Sequence, residues 1–114
     1  MNEFMLIFRS PDYHHAALSP QDMQNRMVQW QKWIADLAEQ GNFISTSRLG
    51  FESKVVGKGG LITDGPFTEL KEVVGGSMVI LAHSLDHAAQ IAKGCPLLEY
   101  GGKAEVRSIM NLKV

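Results

Sequence analysis

The sequence predicts an α+β fold, with two helices packed on one face of an antiparallel sheet and the other face covered by a second copy of the chain. Three observations carry that reading. Two apolar runs, Phe4–Phe8 and Ser77–Ala82, are greasy on both sides, as the central strands of a sheet covered front and back would be. Two helix patterns, each opened by a serine cap, follow one run apiece. The order of elements is strand, helix, strand, hairpin, strand, helix, strand. Two such strand-helix-strand halves make a ferredoxin-like split β-α-β sheet with an inserted hairpin.

In chain order, Phe4–Phe8 is a buried strand that ends at the turn-rich Arg9-Ser10-Pro11-Asp12. The polar stretch up to Leu18 carries His14 and His15, which we read as loop surface. Ser19-Pro20-Gln21-Asp22 then starts a helix: Ser19 accepts from a free backbone N–H, Pro20 fits the first turn, and Asp22 suits the positive end. The helix is expected to run to about Gln40, with Gly41 as its stop. Met23, Met27, Trp30, Ile34, Leu37 and Ala38 form one stripe, expected to pack against the sheet. Phe43–Leu49 is more polar and reads as an edge strand.

Gly57-Lys58-Gly59-Gly60, between Ser53–Val56 and Leu61–Thr63, is hairpin punctuation. A phosphate-cradling loop would need a helix to open at once, and Asp64-Gly65-Pro66 forbids one. After Ser77–Ala82, Ser84 caps a second helix with a small-residue stripe of Leu85, Ala88, Ala89 and Ala92, ended by Gly94 and Pro96. Ala104–Ile109 alternates as a half-exposed last strand.

The 114 residues make one domain, 1–114, long enough to bury roughly two thirds of its unfolded surface. Two helices cover only one side of the central strands. The oily remainder would cost about 25 cal/mol per Å² if left in water, so the sequence predicts a homodimeric α+β barrel. The formal charge of -1, with eleven scattered Lys and Arg, argues against nucleic acid as a partner. One cysteine, no span-length apolar run and no basic leader point to the cytoplasm, with no membrane partner.

The densest polar stretch is Asp64-Gly65-Pro66-Phe67-Thr68-Glu69-Leu70-Lys71-Glu72, between two apolar runs. A connector needs only two or three polar residues, so we read a binding segment here, with Pro66, Phe67, Glu69, Glu72 and Arg48 as binding candidates. Asp64 as base or acceptor and Lys71 as cation are the catalytic candidates; the bland alternative is a turn, a plugging phenylalanine and a solvated rim. His83 and His87 have ligand spacing, but His83 precedes the cap, so surface histidines are the plainer account and no metal is assigned. Cys95, past a helix end where the dipole raises a thiol pKa, reads as buried and inert. Arg48 and Arg107, on strands, are cations that a carboxylate ligand would use, with paired surface charge as the plainer account.

Thr63–Glu72 with Gly75-Gly76, Cys95-Pro96, Tyr100-Gly101-Gly102 and Glu105-Val106-Arg107 resembles the DGPF-type proteins of the YCII-related family. The resemblance implies a ferredoxin-like dimeric α+β barrel, bacterial occurrence and a biochemical role largely unassigned. Members proper carry a proposed His and Asp pair, the histidine on the first helix and the aspartate in an Asp-Pro dipeptide. This chain has no histidine from Pro20 to Gln40 and has Cys95-Pro96 at the dipeptide, so the pair does not carry over. Two functions follow as expectations: a small-molecule-binding homodimer without cofactor, or a cofactor-free lyase, isomerase or dehydrochlorinase-like enzyme on a small anionic or cyclic substrate with Asp64 as base.

Overall fold

The strand that starts the chain sits at its centre. In the computed structural model, which describes residues 1–11, 18–50, 52–65 and 72–111, β1 (Asn2–Pro11) pairs antiparallel with β5 (Glu72–Ala82) on one side and β6 (Lys103–Ser108) on the other. The edge strand β2 (Phe43–Arg48) pairs antiparallel with β5. The four-stranded order is therefore β2-β5-β1-β6, the two doubly apolar runs being the two central strands. A separate two-stranded ribbon, β3 (Lys54–Val56) with β4 (Ile62–Asp64), is the inserted hairpin. This is an α+β chain with an antiparallel sheet, in keeping with the ferredoxin-like expectation. Among the described residues no helix is long and apolar enough to cross a membrane.

Helix α1 (Pro20–Glu39) begins where Ser19 accepts the Asp22 N–H at 3.1 Å, and α2 (Leu85–Ala92) where Ser84 accepts the His87 N–H at 3.1 Å. Both caps are the ones the sequence announces. The helices cover the sheet face that carries Phe4, Leu6, Phe8, Met78, Ile80 and Ala82, and they contribute Trp33, Leu37, Ala88 and Ala92 to the same core. Phe8, Trp30 and Trp33 meet edge to face with centroids 5.0 to 6.3 Å apart, which adds directional packing to the area buried.

The stripe expected on α1 is only half used. Trp30 and Ile34 pack on the core and Leu37 is buried, but Met23 and Met27 stay 55% and 49% exposed and Ala38 is exposed, while Trp33, outside the stripe, is buried. Packing on the sheet is made by the C-terminal half of α1, and among the described residues no core lies beneath the first two turns. On α2 the same selection holds: Ala88 and Ala92 are buried, Leu85 and Ala89 exposed. The last strand before α2 is longer than its apolar run, because Glu72–Gly76 already belongs to β5.

A bulge interrupts the β1–β5 ladder between Phe8, opposite Gly76, and Arg9, opposite Val74. Gly76 lets β2 come close here: a Cβ on it would lie 2.5 Å from the backbone oxygen of Ser47. Backbone cannot swing away as a side chain can, so Gly76→Ala is expected to cost about 1–3 kcal/mol. Urea denaturation measures it; a loss below about 0.5 kcal/mol would mean the edge strand is free to shift.

Candidate functional site

The acidic segment is anchored at both ends and described only there. Asp64 is the last residue of β4, opposite Lys54 in register, and its exposed carboxylate is ion-paired with the Lys54 ammonium. Gly65 N–H donates to the Ser53 carbonyl at 3.2 Å and closes the base of the hairpin, where Glu52, Ser53, Lys54, Asp64 and Gly65 border a shallow groove. Glu72 opens β5, half-buried, and accepts from Lys103 Nζ at 2.8 Å. Pro66, Phe67, Glu69 and Lys71, like His14 and His15, lie outside the described residues. An exposed carboxylate engaged by a lysine is a competent hydrogen-bond acceptor.

The sheet face away from the helices is built by strand alternation and can be mapped row by row. One row across β2, β5, β1 and β6 is Ser45, Val79, Met5 and Arg107; the next is Ser47, Ser77, Ile7 and Glu105. Past the bulge, Val74, Arg9 and Lys103 make a third. One side of the face is thus small and hydroxylated, the centre apolar, and the β6 side charged. There Glu105 takes Arg9 Nε on one oxygen and Arg107 Nη1 on the other, each at 3.3 Å. The Arg107 hydrogen bond, backed by the charge and hydrogen bond of Arg9, holds the Glu105 carboxyl below its usual range.

Sequence reasoning missed Arg9 and Glu105. Part of the signal was there: Arg9 continues the Met5–Ile7 side of β1, and Glu105 and Arg107, two apart on one strand, share a face; the β1–β6 pairing is what puts the three together. Arg48 and Arg107, read together as carboxylate binders, are not brought together; they stand on β2 and β6, the opposite edges of the sheet.

On the helix side, a depression of about 360 Å³ lies between α1 and the turn after α2, bordered by Lys32, Trp33, Asp36, Lys93 and Cys95. Tyr100 closes one flank by donating to the Gln29 side chain while the Arg26 guanidinium rests 3.8 Å over its ring. His83 and His87 come together after all: their rings stack with centroids 5.1 Å apart, and His87 Nδ1 accepts the His83 backbone N–H at 2.9 Å. Among the described residues no three His, Cys, Asp or Glu side chains gather where a metal could be held.

Cys95 is buried, and burial, not the helix end the sequence suggested, is the main reason its thiol is pushed up to about 11. The unfolded thiol, near 9.0, gives up its proton first. The stability tied to this group is intact below pH 9 and is lost as pH rises toward 11, because only the folded state still holds the proton. Comparing the pH dependence of unfolding with that of Cys95→Ala isolates the effect; parallel curves from pH 8 to about 11 would contradict it. In the folded protein at pH 8, alkylation of Cys95 is expected to be slow.

The family model described as the YCII-related domain matches residues 4–113, nearly the whole chain. No curated protein matches it.

Proposed function

The chain thus belongs to the YCII-related family, and on that premise we propose that it works as a small-molecule-binding homodimer, its open sheet face the seam and the Asp64–Glu72 segment a border of the pocket. One observation carries the reading. Met5, Ile7, Val79 and Leu81, on the two central strands, remain partly exposed on a face that neither α1 nor α2 covers. Four strands at about 4.8 Å, two of six residues at the edges and two of ten and eleven in the centre, at about 3.3 Å per residue, make a face about 19 Å wide and about 20 Å long at the edges to about 35 Å in the middle. That is the order of area one partner gives to a standard interface. A two-fold copy stacked at about 10 Å removes the apolar centre from water and makes the dimeric α+β barrel. The lone thiol, Cys95, suits a reducing compartment such as the cytoplasm.

Pro66, Phe67, Glu69 and Lys71 belong to the proposed binding segment, with Asp64 and Glu72 at its ends. Sedimentation at micromolar concentration should find twice the chain mass, and single chains alone would overturn the seam. A thermal-shift screen of small acids and phenols locates the pocket. Stabilisation by a hit is expected to shrink or vanish in Asp64→Asn, and a hit indifferent to that change would move the pocket away from the segment.

A further inference from the structure

On the β6 side of the open face, among the described residues, two guanidinium groups are served by one carboxylate. Arg9 and Arg107 share one carboxylate, each through a single nitrogen at 3.3 Å, and among the described residues neither guanidinium has another acceptor. Glu72, the next carboxylate on this face, is taken by Lys103. Glu3, on the same face, is six positions along β1 from Arg9, about 20 Å at strand rise; it lies diagonal to Arg107, which is opposite Met5, but makes no ion pair among the described residues. Arg9 is already two-thirds covered, with 31% of its side chain exposed. A second sheet over this face would bury two guanidinium groups whose remaining N–H donors have no acceptor among the described residues, and buried donors of that kind call for one.

We propose that this face binds a small organic carboxylate, held by Arg9 and Arg107 beside Glu105, with its body on Ile7 and Val79 and its far end toward Ser77 and Ser47. The inference deepens the seam reading and rests on it for the water exclusion that makes the contact tight. A guanidinium offers a planar fork that matches a carboxylate, and here each fork has nitrogens to spare. Toward β2 the floor falls away, since Ser47, Ser77 and Gly75 are small, and two sheets cannot close over such residues without leaving room. From β1 to β2 is two strand spacings, about 10 Å. The room therefore fits an acid with a body of one ring or a short branched chain, ending in a group that accepts from or donates to a hydroxyl. Acetate is too short to span it.

Calorimetric titration with benzoate and cyclohexanecarboxylate at low salt tests this, with the mass measured in the same samples. Saturable binding is expected, weakened tenfold or more in Arg9→Gln and in Arg107→Gln and unchanged in Glu39→Gln, on the helix side of the sheet. Glu105→Gln should bind several-fold tighter, since it frees both guanidinium groups; a merely structural network would loosen instead. A folded dimer that takes up neither acid, or an Arg9→Gln protein that binds as wild type does, overturns the carboxylate site and leaves the seam standing. Arg9-dependent binding by single chains would uphold the site and overturn the seam, and single chains that bind nothing would overturn both.

Discussion

Ile7→Lys should turn the proposed dimer into single chains at micromolar concentration. Ile7 sits in the middle of the open face, flanked across the ladder by Ser77 and Glu105, with Met5 and Arg9 before and after it on the same side of β1. The variant places an ammonium where two apolar layers are to meet, beside Arg9 and Arg107 that already share the Glu105 carboxylate, and by two-fold symmetry it places two. Leaving such a charge without a partner costs about 3–5 kcal/mol, so association weakens by roughly a hundredfold or more. In a single chain the same lysine faces water and costs little, so the fold should survive. Val28→Lys is the control, because Val28 is 52% exposed on α1, away from the sheet. Sedimentation of the three proteins decides: an Ile7→Lys dimer as tight as wild type would mean that the open face is not the seam.

Leu6→Ala should be the most damaging single truncation on the other side of the same strand. Leu6 has no exposed surface and stands opposite Met78 on β5 and Val106 on β6, under the helices. Removing its branched end leaves a hole between strands whose backbones are pinned on both sides by ladders, so the site cannot collapse. The expected cost is about 3 kcal/mol, within the range of about 2–5 kcal/mol for buried leucines. The urea midpoint should fall by roughly 1–2 M. Against a total of about 5–15 kcal/mol for a domain, that is a large share. A loss under about 1 kcal/mol would say that the covered face is loosely packed.

Neighbouring residues of β1 thus have opposite consequences, and this alternation is also what the sequence shows most clearly. A run apolar at every position, Phe4 to Phe8, can only be a strand with cover on both sides, and β1 is central. Ser19 and Ser84 announce the helix starts because a short hydroxyl at that position has one main use. What the pattern does not carry is length of overlap between elements. Met23 and Met27 obey the helical period as well as Leu37 does, yet only the end of α1 that lies over the sheet is buried. Periodicity gives the angle of a face, not whether anything stands opposite. The charged cluster was missed for a related reason: Arg9 and Glu105 are 96 positions apart and become neighbours only once β1–β6 pairing is known. The acidic segment was legible as a dense stretch, but its ends are pinned by Lys54 and Lys103, residues to which composition assigns no role.

The hairpin β3–β4 bonds to no strand of the main sheet, and its tip at Lys58–Gly60 points apolar neighbours such as Leu61, 67% exposed, into solvent. Among the described residues nothing in the core is registered against that tip, so the chain can be lengthened there without moving β2 or β5. It is the natural place to splice a fluorescent reporter or an epitope, and the place where sister sequences are free to differ in length while keeping the same scaffold.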